Sequence, residues 1–174
     1  MRLFRSLILL LTLAAPAAFA DGLYQVEMIL FRQTAEPATT QQFAPEDWAA
    51  GAQKITPENE RSLALSEMDT KLDASGTYKV LLHRAWQQSL SATPSKMAVS
   101  SGQEHFGHFP IEGTVTLSLD RFTDIIADFW VNQLDNDGVL NTSERLTQTT
   151  RVKNGELTYI DNGGLAMLIK ISPL

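Results

Sequence analysis

Two apolar–polar alternations stand back to back in the middle of the chain, and they narrow the fold more than any other feature. In Ile111–Leu119, residues Val115, Leu117 and Leu119 point one way while Thr114, Thr116 and Ser118 point the other. Asp120-Arg121 turns the chain, and over 124–132 residues Ile125, Ala127, Phe129 and Val131 again share one face. Strands that follow one another through a tight turn pair antiparallel, because a parallel neighbour needs a long crossover. The rest of the chain extends this pattern. Residues 23–31 (LYQVEMILF) read as a strand with Tyr24, Val26, Met28 and Leu30 on one face. Further strands are expected over 78–86, 144–152, 156–160 and 165–171, and a short one over 97–99. Asn154-Gly155 is the strongest hairpin signal, and Asn162-Gly163-Gly164 breaks the chain again before the last strand.

One segment has a helical period. Thr56-Pro57-Glu58 offers a capping hydroxyl, a proline and a first-turn acid; Leu65, Met68 and Leu72 follow at helical spacing and Gly76 ends the pattern. This predicts a helix over about 57–74, whose apolar side must cover a sheet face. The expected fold is α+β: a curved, mainly antiparallel sheet of about seven strands with one main helix on one face. Residues 32–53, with Pro37, Pro45 and a Thr-Thr-Gln-Gln run, read as a long loop or arm with one helical turn near Pro45.

The N-terminus reads as an address. Arg2 and Arg5 precede the apolar run 7–13, and Ala18-Phe19-Ala20 places small residues where a signal peptidase reads. The uncharged stretch 6–20 is 15 residues, short of the roughly 20 that span a bilayer. Residues 1–20 are therefore expected to be a cleaved signal peptide and 21–174 a single exported domain, with no membrane span after cleavage. Cysteine is absent, which excludes disulfides, thiolate metal sites and a cysteine nucleophile. Fourteen Lys and Arg stand against 20 Asp and Glu, for a net charge of −6 that loses two arginines with the leader. Phosphate backbones need a basic face, so nucleic acid is not an expected partner.

No motif spells out a reaction. Glu104-His105-Phe106-Gly107-His108 places two imidazoles and a carboxylate together, but no predicted helix carries them and no distant ligand is evident; a solvated loop is favoured over a metal site. Asp135 and Asp137 resemble the start of a calcium loop, but Leu140 occupies the position that requires glycine. His83, with no nucleophile elbow elsewhere, reads as a structural histidine. Trp86 shares a predicted face with Arg84, Leu82 and Val80, and Trp130 with Asp124 and Asp128. An aromatic ring beside charges can stack on a sugar while the charges bind hydroxyls or carboxylates; the alternative is that both tryptophans are core. On the platform argument Arg84 and Trp86 are the candidate ligand-binding residues. No catalytic residue, metal ligand or cofactor is assigned.

Four blocks resemble the CsiV family of exported peptidoglycan-binding proteins of gammaproteobacteria: Tyr24 to Phe31; Gly76-Thr77-Tyr78 through Trp86-Gln87-Gln88; Ile111-Glu112-Gly113 through Leu119, with Arg121; and Arg151 through Gly155-Glu156-Leu157 to Ile171-Ser172-Pro173. They occur in matching order behind a matching leader, and none is a catalytic motif. The resemblance implies a non-enzymatic periplasmic protein that binds peptidoglycan. It also implies an association with activating a class A penicillin-binding protein through that enzyme's outer-membrane lipoprotein activator, and so with cell shape. Two other readings remain open: an envelope adaptor without glycan affinity, and a wall hydrolase using carboxylates or His83.

Overall fold

A computed structural model describes residues 22–33 and 43–174. The expected leader, and residues 34–42 of the arm, lie outside the described residues. Among the described residues, nine strands and one helix are ordered β1 (Gly22–Gln33), β2 (Gln53–Lys54), α1 (Ser66–Ala74), β3 (Tyr78–Leu90), β4 (Ser95–Ser101), β5 (Ile111–Leu119), β6 (Thr123–Leu134), β7 (Leu140–Val152), β8 (Leu157–Asp161) and β9 (Leu165–Pro173). The α+β class and the antiparallel character hold, but the single seven-stranded sheet does not. The strands form two open sheets, of order β3-β1-β9-β8 and β2-β4-β5-β6-β7, and only β2 pairs in parallel.

The two sheets face each other over the main core. Val26, Met28 and Leu30 of β1 and Met167, Ile169 and Ile171 of β9 meet Val115 and Leu117 of β5 and Ile125, Ala127 and Phe129 of β6. The alternation read in β5 and β6 therefore sends its apolar side inward. β1 is buried on both faces from Val26 to Phe31, since its odd residues meet the helix instead. There Ile29, Phe31, Ala166 and Leu168 pack against Leu65, Met68 and Leu72, which makes three layers: helix, first sheet, second sheet. At one end Arg32 of β1 forks onto the buried Glu144 of β7 and ties the sheets together.

Three local expectations need correcting. First, Asn154-Gly155 makes its turn, with Gly155 at φ 86°, yet β7 and β8 belong to different sheets. β8 instead folds back on β9 through Gly163-Gly164, with Asn162 and Leu165 bonded across the turn. Second, the helix starts at Ser66, not near residue 57. Thr56–Glu60 closes one turn only; the carbonyl of Asn59 and the N–H of Arg61 then bond the free edge of β3, at Gln87 and Ala85. Backbone groups committed to a sheet edge cannot continue a helix. Third, Val80 does not share a face with Trp86. A register shift opposite Leu30/Phe31 places an extra residue at Leu81, so Val80 packs under the helix while Leu82 and Trp86 enter the main core.

Candidate functional site

The described part of the arm straddles one open side of the sandwich. β2 adds to β4 of the second sheet, and Glu60 forms a bridge with Trp86 on the β3 edge of the first. Asn59 locks the intervening strap: its Oδ1 accepts from Thr56 N at 2.8 Å and its Nδ2 donates to Lys54 O at 3.1 Å. Between strap, β3, β4 and the loop after β4 lies a cleft of about 430 Å³, within the size range of small-ligand sites. Lys54, Glu60, Arg84 and Glu104 supply its charges, Ser100 and Thr56 its hydroxyls, and Trp48 and Phe109 its aromatic wall.

That wall is built firmly. Trp48 meets Phe109 edge to face, centroids 6.1 Å apart, and donates from Nε1 to Gly107 O at 3.3 Å. Behind the loop, Glu112 is fully buried and accepts from Phe109 N at 2.8 Å and Asn132 Nδ2 at 2.8 Å, with His108 Nδ1 at 2.7 Å. Ser143 Oγ donates in turn to Asn132 Oδ1 at 2.7 Å. A satisfied polar network of this kind holds a loop in one conformation. It also settles His108 as a structural residue, bridged through the backbone to His105 across Phe106 and Gly107. Phe106 holds φ at 49° while 78% exposed, a costly conformation for a side chain that buries little. Among the described residues, no group of three or more His, Asp or Glu has the arrangement of a metal site.

The two predicted ligand residues part company. Arg84 lines the cleft, and its Nη1 donates to Glu60 Oε1 at 3.1 Å, with both side chains largely open to solvent. Trp86 has no exposed surface; its Nε1 donates to Gln88 Oε1 at 2.8 Å, and Gln88 is held by Ser95. It packs between the sheets and forms no stacking platform in this structure. Trp130 lies on the outer face of the second sheet beneath Arg145, whose guanidinium stands 4.8 Å from the ring centroid. Arg145 also forks onto Asp128 at 2.8 and 2.9 Å, and this pairing raises its already high pKa. Asp124 and Asp128 do share a face, but each is paired with an arginine of β7, not with the other. Arg151 holds the Asp124 carboxyl below the usual carboxylate range.

His83 lies on the helix side of β3, away from the cleft. Its Nε2 meets Glu27 Oε1 and its Nδ1 meets Asp69 Oδ2, each at 2.8 Å. Glu27 also accepts from Ala64 N at 3.0 Å and Leu65 N at 2.8 Å, and so anchors the chain just ahead of α1, whose N-cap Leu65 makes no side-chain cap of its own. Both carboxylates are thus engaged in seating the helix. Of the other cleft residues, Glu104 was weighed in the sequence only as a metal ligand and Glu60 only as part of the expected helix, while Lys54, Trp48 and Phe109 lie in irregular stretches without a period; the one signal there was a tryptophan, Trp48, inside an otherwise polar loop.

Comparison with known families agrees with the reading of the four blocks. The family model described as "Peptidoglycan-binding protein, CsiV" matches residues 2–63 and 52–174. The chain belongs to the CsiV family. Membership points to peptidoglycan as ligand and to a location outside the cytoplasm. No curated protein and no solved structure matches the chain. Among the described residues, no helix is long and apolar enough to cross a membrane.

Proposed function

We propose that this protein is a non-catalytic peptidoglycan-binding protein of the periplasm, and that the cleft at the β3–β4 side of the sandwich is its ligand site. The observation that carries the reading is membership of a family described as peptidoglycan-binding, across two matches that together span residues 2–174. The cleft supports it as a place: it has exposed ions, hydroxyls and an aromatic wall fixed by a buried network. Both ring nitrogens of His83 face carboxylates, those of Asp69 and Glu27, that hold the helix in place, which supports a structural role for the histidine. On this reading the protein supports wall synthesis and cell shape by helping a lipoprotein of the outer membrane activate a class A penicillin-binding protein. Cosedimentation with purified sacculi tests the binding step. The mature protein pellets with sacculi and Arg84→Ala pellets less; a wild-type protein that stays in the supernatant at low salt refutes direct binding.

A second reading, an envelope adaptor without glycan affinity, draws on one feature. Phe106 stands exposed on a strained turn at the rim of the cleft, as a protein contact would. A stable partner complex without pelleting on sacculi selects it.

A further inference from the structure

We infer that the cleft recognises the peptide stems of peptidoglycan and not its glycan strand, an inference that rests on the cleft being the ligand site. The argument is one of charge. The cleft presents two cations, Lys54 and Arg84, and two anions, Glu60 and Glu104. A strand of N-acetylated amino sugars offers them hydroxyls and acetamides but no opposite charge, because its lactyl carboxyl is consumed in the amide that carries the stem. A stem carries free carboxylates and, where it contains a diamino acid, a free ammonium. Carboxylates match the fork of Arg84 and the ammonium of Lys54, while an ammonium matches Glu60 or Glu104.

The state of the resident ions fits this exchange. Arg84 and Glu60 pair at 3.1 Å with side chains 40% and 48% exposed. An ion pair so open to water contributes little by itself, so opening it to re-pair each partner with a ligand ion costs little. Trp48, held edge to face against Phe109 and bonded through Nε1 to Gly107 O, gives the cleft a fixed wall beside these ions.

Competition for binding to intact sacculi tests the inference with defined probes: a synthetic stem tripeptide of L-alanine, γ-linked D-glutamate and meso-diaminopimelate, and tetra-N-acetylchitotetraose. The tripeptide releases the protein from sacculi and chitotetraose does not. Arg84→Ala weakens tripeptide binding by about tenfold or more, as expected for loss of a charge-assisted contact, while Arg84→Lys recovers part of it. Unchanged circular dichroism and thermal midpoint in both variants separate this from unfolding. Release by chitotetraose, or failure of the tripeptide to compete while wild type still pellets, overturns the stem-peptide inference and leaves the family reading standing. A protein that never pellets overturns both.

Discussion

Replacing Glu27 tests whether a carboxylate on β1 seats the helix. Glu27 is 2% exposed and serves three donors: the N–H groups of Ala64 and Leu65 and the Nε2 side of His83, at 3.0, 2.8 and 2.8 Å. In Glu27→Ala the segment that enters α1 loses two backbone N–H bonds to a carboxylate, for a net cost of about 1 kcal/mol. The imidazole of His83, 6% exposed, loses a charged partner that water cannot readily replace, for a further cost of about 1–3 kcal/mol. Ala64 is exposed, so water recovers part of its bond. A destabilisation of about 3 kcal/mol follows, in line with other broken buried pairs and large against a total stability of about 5–15 kcal/mol. Urea denaturation followed by far-ultraviolet circular dichroism reads it: with a slope of about 1–3 kcal/mol/M the midpoint falls by about 1–3 M. Glu27→Gln keeps the shape and one acceptor, and loses roughly half as much. Amide exchange locates the effect, since α1 amides lose protection before those of β5 and β6. A Glu27→Ala stability within about 0.5 kcal/mol of wild type refutes the reasoning.

Three further outcomes follow from the same geometry. Trp86→Ala empties the centre of the core and costs about 3–5 kcal/mol by chemical denaturation, so lost sacculus binding in that variant reports unfolding unless the fold is shown intact. Phe106→Gly relieves a left-handed backbone at an exposed site and raises stability by about 1 kcal/mol, measured as a higher urea midpoint; an unchanged or lower midpoint shows that the turn is unstrained. Asp124 has a folded pKa below its unfolded value, because of Arg151, so its stabilisation is present above the unfolded pKa and fades as pH falls through the folded one. Arg151→Ala returns the Asp124 carboxyl upward toward the ordinary range in a carbon-detected NMR titration, and high salt shifts the wild type the same way; no movement in either removes the pairing from the account.

The two strands of the second sheet that alternate most cleanly, β5 and β6, were legible almost to the residue. Their inner face is uninterruptedly apolar and their outer face mostly polar, Ile126 and Trp130 apart, so period two stands out. β1 was legible as a strand for the opposite reason, a dense apolar run, but its two buried faces gave parity no polar reference. The same limit hid the place of Trp86. Alternation grouped it correctly with Arg84 and Leu82, yet both faces of β3 are covered, one by the second sheet and one by α1, so parity alone did not say which group was inside. Alternation also carries no information on which sheet a strand joins. The split at Asn154-Gly155 is decided by the long-range pairing of β9 with β1 and β8, not by the turn. The true start of α1 was illegible locally because the residue that anchors its entry, Glu27, lies 38 residues before Leu65. The cleft was the least legible part. Its residues come from the strap, β3, β4 and a loop, and of its four charged residues only Arg84 sits in a segment whose predicted element the structure keeps. The family itself was legible from its blocks, which are strand-forming segments and say little about a site made by loops.

The most direct test of the account is a ¹⁵N NMR titration of the mature protein with soluble muropeptides. The account predicts saturable shifts at the Trp48 indole and at the amides of Ile55, Ser100, Glu104 and Phe109, with the outer face around Trp130 and Arg145 and the helix side around Asp69 and His83 unmoved. Saturable shifts on the outer face or beneath the helix, with the cleft silent, contradict it.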